Sequence, residues 1–139
     1  MQDGRGGPFG AVIVKEGRVV GRGSNQVVRS MDPTAHAEIV AIRDACANLG
    51  THVLAGCDVF ATCQPCPMCL AALYWARVDR IYYACTAGDA RDAGFDDAFI
   101  CSELGKSPAE RQLPMQQILR NEALTLFDEW KANPSWTRY

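Results

Sequence analysis

Apolar residues come in short β-branched runs that alternate with longer helical stripes, and glycine and proline mark the breaks. Residues 9–14 (FGAVIV) predict a strand, Glu16-Gly17 a tight turn, and residues 18 to about 23 the second strand of a hairpin. Asp32-Pro33-Thr34 predicts a helix start, with proline where no amide donor is needed; the helix runs to about Asn48 and Gly50 suits its end. Residues 58–62 form a short apolar third strand. Pro65 and Pro67 stop it and open a helix from about Cys66 to Arg77, and residues 80–85 make a fourth strand. Strand, crossover helix and strand imply a right-handed parallel βαβ unit. Ser107-Pro108-Ala109-Glu110 reads as a capping-box helix start limited by Pro114, and residues 115–119 as a short fifth strand. From Glu122 to about Ala132, Leu124, Phe127 and Trp130 make a helical stripe that ends before Pro134. No repeat, low-complexity tract or dividing linker interrupts this order, so residues 1–139 read as a single α/β domain with a tail at 133–139.

Composition narrows the class. The 139 residues are 48% apolar and 22% charged, and no apolar stretch reaches the length of a membrane span. The first residues lack the charged-then-apolar pattern of an export signal, so the cytoplasm is the expected compartment. A net charge of −2 with interleaved signs disfavours a protein that coats nucleic-acid phosphates and favours a small neutral substrate. Seven cysteines, an odd number without an export signal, make a poor disulfide framework. Cys63, Cys66 and Cys69 crowd into one heptapeptide, where a metal is the natural reading. Cys46, Cys57, Cys85 and Cys101 sit among apolar neighbours and read as buried thiols.

His36-Ala37-Glu38 and Pro65-Cys66-Pro67-Met68-Cys69 carry the chemistry. Three protein ligands, His36, Cys66 and Cys69, leave the fourth tetrahedral position of zinc open to water, the catalytic rather than the structural arrangement. Zinc brings the pKa of such a water near neutrality. Cys66 and Cys69 lie three apart at a helix start, on one side, where exposed amides favour thiolates. The two halves together match the pattern of zinc nucleobase deaminases, with the glutamate as general acid and base rather than ligand. Three blander readings compete. Cys63, Cys66 and Cys69 have iron–sulfur spacing, but Cys63 ends a strand and no well-placed fourth cysteine follows. A structural zinc closed by Cys63 leaves Glu38 without purpose. A lone buried histidine is usually a core residue.

Over nearly its whole length, from Gly6-Gly7-Pro8-Phe9-Gly10 to the final tyrosine, the chain resembles bacterial guanine deaminases of the cytidine-deaminase-like fold. Residues 93–100 (AGFDDAFI) and Tyr74-Trp75-Ala76-Arg77 are the parts most particular to that branch. The resemblance implies a three-layer α/β/α sandwich around a mixed five-stranded sheet, one zinc per subunit, and hydrolysis of guanine at C2 to xanthine and ammonia. It implies that Glu38 protonates a ring nitrogen and then the departing amine. Asn25 and Asp97 are implied as hydrogen-bond partners of the purine, with Asp97 also assisting proton transfer. The backbone amide of Ala37 would meet the ring, Phe9 and Phe95 would form apolar walls, and Tyr139 would close the pocket of a partner in a homodimer with exchanged C-terminal segments. Without the resemblance, Asn25 reads as a turn residue, Asp96 and Asp97 as a loop cap, Phe9 and Phe95 as core, and Trp136 and Tyr139 as a frayed end. Two departures stand out. Relatives have a helix covering one sheet face before the glycine-rich segment, so either an exposed apolar surface or a truncated chain is expected, with truncation favoured. Gln64 stands where many relatives carry glutamate.

Rival substrates remain at this stage. They are cytosine, transfer-RNA adenosine and the triazine ammeline; the transfer-RNA enzymes share the metal pattern but need a basic surface that a net charge of −2 does not suggest, while ammeline presents a guanine-like amidine edge. Outside enzymes, the rival is a zinc-stabilised binding module without turnover.

Overall fold

The structure, a computed structural model, describes residues 6–135 and residue 137; Trp136 and Tyr139 lie outside the described residues. The described residues fall into two compact units that divide between Cys101 and Ser102.

The first unit is built on a mixed sheet of order β2-β1-β3-β4. β1 (Gly10–Lys15) and β2 (Arg18–Ser24) form the expected antiparallel hairpin. Its turn uses positive φ at Glu16 (50°) and Gly17 (74°), the geometry whose twist matches that of the strands it joins. β1 also pairs antiparallel with β3 (Cys57–Cys63), and β3 pairs in parallel with β4 (Arg80–Cys85) across the crossover helix α3 (Pro67–Ala76). Alternate residues of β1 and β3, Ala11, Ile13, Cys57, Val59 and Ala61, face the core with Leu54 and Leu73. On the other face, Phe60 and Tyr82, each 43% exposed, stack with centroids 4.8 Å apart; the expected exposed apolar sheet face is present.

Helix α2 (Ala37–Leu49) lies against β2 through an unusually close contact. Ala37, Ala41 and Ala45, spaced by four, are fully buried on one stripe of the helix. Opposite them stand Gly21 and Gly23. A Cβ on Gly23 would sit 2.0 Å from the Ala37 carbonyl oxygen, and one on Gly21 would sit 2.5 Å from that of Ala41. Glycine facing alanine is what lets the helix backbone come this near. The helix starts later than Asp32-Pro33-Thr34 suggested. The Asp32 carboxylate accepts from both the amide and the hydroxyl of Thr34, forming a local turn in place of a first helical turn. His36 is the actual N-cap, and Gly50, left-handed at φ 64°, ends the helix as expected.

Three short helices were not foreseen: α1 (Val27–Ser30), α4 (Ala87–Asp92) and α5 (Ala98–Leu104), which spans the boundary between the units. Thr86 and Asp89 close a complete capping box on α4.

The second unit contains a capped 3₁₀ turn (Pro108–Glu110) and α6 (Arg120–Ala132). The Ser107/Glu110 capping box is there, but it starts one turn rather than a longer helix. The expected fifth strand is not: residues 114–119 are unpaired, and the sheet has four strands among the described residues. Pro114 has no amide to donate, and Gln116-Gln117 breaks the period of two, so this segment lacks a strand's apolar face. Glu103 is the buried residue here, bonded to Lys106 and to the Gln112 amide, while Leu113, Met115, Ile118, Leu126 and Phe127 are exposed. Cys85 and Cys101 are also exposed rather than buried, since β4 is an edge strand and α5 turns Cys101 outward; Cys57 is buried and Cys46 half-buried. No helix among the described residues is long and apolar enough to cross a membrane.

Candidate active site

Two helix starts meet at the C-terminal end of the sheet. His36 is the N-cap of α2 and Cys66 the N-cap of α3, both extended (ψ 159° and 168°) and neither using its side chain to cap its helix. Pro67 opens α3 and Cys69 lies in its first turn, fully buried. One ligand atom from each of His36, Cys66 and Cys69 lies within 4.8 Å of the others. Cys63 is not in the group; its thiol donates to the Thr86 carbonyl at 3.4 Å.

The donor set fits zinc by a simple test. Nδ1 of His36 and Sγ of Cys66 are 3.6 Å apart. Tetrahedral ligands at about 2.0 Å (nitrogen) and about 2.3 Å (sulfur) are separated by about 3.5 Å. The thiols are also prepared for a cation. A hydrogen bond from the Cys69 thiol, then the amides of Cys69 and Met68 and the nearby His36, hold Cys66 down at about 6 against the pull of burial. The same pairing, burial and the neighbouring Glu38 push Cys69 up. The two sulfurs share one proton, which a dication bound to both would displace.

Beside the cluster lies a cavity of about 250 Å³ lined by His36, Glu38, Cys66, Asn25, Asp97, Phe9 and Phe95. Of the ten positions expected at the site, seven line this cavity and Cys69 joins them through the metal cluster. Ala37, first residue of α2, is buried and does not line it, and Tyr139 is outside the described residues. Glu38, only 8% exposed, reaches both the cavity and Cys69. Asn25 serves as turn and wall at once: its Oδ1 accepts from the amides of Gly7 (3.4 Å) and Val27 (3.3 Å). With two N–H donors on the oxygen, the amide orientation is fixed, and NH₂ is the group left to offer the cavity. Phe9 and Phe95 meet edge to face at 4.9 Å and 83°. Gly7 makes room for them, since a Cβ there would sit 3.0 Å from Phe9. Asp96 is the loop cap, accepting from the Ala98 amide at 2.9 Å, and it lines the cavity beside Asp97.

Cys63, Gln64, Ala87, Ala90 and Ile100 complete the lining and were not anticipated. Adjacency to the ligand motif pointed to the first two; the Thr86-x-x-Asp89 capping signature could have revealed the helix that supplies Ala87 and Ala90. A larger open groove of about 670 Å³ lies over Phe60, Thr62 and Arg22, but no histidine, cysteine or acid lines it. The chemistry sits in the smaller cavity.

The family model for the cytidine and deoxycytidylate deaminase zinc-binding region matches residues 1–85, which contain the whole metal cluster. The chain belongs to this family. Zinc is accordingly the metal that the His36, Cys66 and Cys69 group would hold. Among deaminases of the family, guanine deaminase of Bacillus subtilis is 51% identical over 128 residues, covering 92% of this chain and 82% of that protein. A crystal structure of the Bacillus subtilis guanine deaminase superposes with a TM-score of 0.95, at 48% identity, over 99% of this chain and 88% of that one. The tRNA-specific adenosine deaminase of Aquifex aeolicus is 41% identical over 92 residues, covering 66% of this chain and 60% of that protein.

Proposed function

We propose that the chain is a zinc-dependent guanine deaminase, converting guanine and water to xanthine and ammonia. The observation that carries this reading is one cavity uniting a three-donor zinc cluster with Glu38, in a chain 51% identical to a guanine deaminase along most of both lengths. Zinc bound there supplies a water of near-neutral pKa and leaves a coordination position open for it. Glu38 lines the cavity next to the cluster and is placed to take a proton from water, deliver it to a ring nitrogen and then to the leaving amine. The NH₂ of Asn25 donates to an acceptor on the purine, while Asp97 accepts from a ring or amino N–H. Phe9 and Phe95 exclude water from the flat faces of the base. At about 250 Å³ the cavity falls below the usual range for larger ligands and suits a free base.

The same reading extends to assembly and location. The second unit has almost no core of its own, with Leu113, Met115, Ile118 and Phe127 exposed, which supports a homodimer that exchanges C-terminal segments and closes each pocket with the partner's Tyr139. Such a covering layer would complete the three-layer sandwich. All seven cysteines are free thiols, which suits a reducing compartment such as the cytoplasm.

The test is ammonia release from zinc-loaded protein offered guanine, ammeline, cytosine, adenine and transfer RNA, with Glu38→Gln beside the native chain. Guanine should be consumed, and Glu38→Gln should lose turnover by about 10²–10⁴-fold while keeping zinc and fold. Inert guanine beside rapid turnover of cytosine or transfer RNA would overturn the substrate; retained zinc with no turnover of any base would favour a binding module.

A further inference from the structure

The ligand-bearing loop and the opposite wall of the cavity belong to different strand ends, and the residue between the last core cysteine of β3 and Pro65 bridges them. The backbone amide of Gln64 donates to the Cys85 carbonyl at 2.8 Å, fastening the loop to the end of β4. Its side chain reaches further: Oε1 accepts from the amide of Ala87, the first residue of α4, at 3.4 Å. Gln64 and Ala87 both line the cavity, and Cys66 follows two residues later.

What α4 carries makes this contact consequential. Ala90 faces the cavity and its carbonyl accepts from the Phe95 amide at 2.9 Å, so the position of α4 sets that of Phe95. Phe95 in turn rests on Phe9, and Asp97 lies two residues beyond. The capping box of Thr86 and Asp89 stabilises α4 internally and does not tie it to the ligand loop. The side-chain tie comes from Gln64, with the Cys63 thiol holding the Thr86 carbonyl alongside it.

We propose that Gln64 is a positioning residue that sets the width of the substrate cavity by tethering α4, and through it Phe95 and Asp97, to the loop bearing Cys66. The inference rests on the deaminase reading only for the identity of the ligand. The tether is long for a hydrogen bond and uncharged, so it is adjustable. A carboxylate at the same length would accept from the same amide more strongly, and the amide's place at a helix start favours negative charge.

Three proteins test this: zinc-loaded native chain, Gln64→Leu, which keeps bulk and removes the acceptor, and Gln64→Glu, which keeps the acceptor. Gln64→Leu should raise KM for guanine by about fivefold with kcat changed less than about twofold, the signature of lost uniform binding. Zinc content should stay at the native level, and hydrogen exchange of peptides covering residues 86–95 should speed up. Gln64→Glu should return both KM and exchange to native values or better. Native exchange and native KM in Gln64→Leu would overturn the proposal. So would a Gln64→Glu variant as impaired as Gln64→Leu, which assigns the effect to shape, or a kcat loss that tracks lost zinc. Exchange in the three proteins is read without turnover, so it decides the tether even if guanine proves inert.

Discussion

Gly23→Ala is the most informative single change outside the cavity, because it tests whether the glycine–alanine contact positions the catalytic helix. A Cβ at residue 23 would lie 2.0 Å from the Ala37 carbonyl oxygen and 2.6 Å from the Ala41 amide nitrogen. Both obstacles are backbone, so neither can rotate aside. Reaching an ordinary 3.4 Å contact requires α2 and β2 to separate by 3.4 − 2.0, or about 1.4 Å. Replacing glycine within a strand returns roughly 0.5–1 kcal/mol through the unfolded chain, whereas overpacking typically costs about 1–3 kcal/mol, so strain should win. His36 and Glu38 sit at the end of α2 nearest the contact, while Cys66 and Cys69 are on α3. A displacement near 1 Å of one pair against the other is expected to lower kcat/KM about 10²-fold. Urea unfolding of the zinc-loaded protein reads the first effect, and ammonia release from guanine the second. Gly10→Ala is the control, because its nearest neighbours would be 3.7 Å away. Gly23→Ala with native stability and native kcat/KM would refute the claim that this contact positions the site.

Two further outcomes follow from the helix starts. His36→Ser removes a zinc ligand and supplies a capping hydroxyl at an N-cap that has none now; it should lose zinc and activity, yet under chelator it should unfold at higher urea than the chelated native chain, by about 0.5–2 kcal/mol. Asp89 has its carboxyl held below 3.8 by hydrogen bonds from the amide and hydroxyl of Thr86, so its contribution is present above the unfolded pKa and is lost as pH falls through the lower folded value. Amide shifts of residues 86 and 87 should therefore be flat above about pH 5 and move only below about pH 4, and Asp89→Asn should abolish that acid transition.

The readable parts of this chain are those where physics admits few residue types. A zinc site demands thiolate or imidazole donors, so His36, Cys66 and Cys69 stand out in the sequence, with Glu38 beside them. The hairpin and the β3-α3-β4 crossover were equally legible, because runs such as Val12-Ile13-Val14 and Tyr82-Tyr83 between turn signals have one natural period. Helices of four to seven residues, α1, α4 and α5, were missed because each is shorter than the window over which a 3.6-residue period can be recognised. The start of α2 was misplaced because aspartate before proline caps a helix or closes a local turn equally well, and here the Thr34 hydroxyl decided for the turn. The cavity wall of Gln64, Ala87, Ala90 and Ile100 is chosen by shape, which leaves no signature in residue type.

The two N-caps show how the legible and illegible layers are joined. At the start of α2 and of α3 the position that ordinarily holds a capping serine or aspartate holds a metal ligand, and its extended backbone turns the side chain into the site instead of back onto the helix. At α2 no side chain caps the helix, which forgoes about 1 kcal/mol of capping. At α3 the first amides turn to the site: the N–H groups of Met68 and Cys69 donate toward the Cys66 sulfur and help hold it as a thiolate. Helix starts given over to metal ligands are thus the structural source of a site able to hold a dication. The close α2–β2 contact through Gly21 and Gly23 anchors α2 from the side, so its uncapped end can remain fixed without a capping bond.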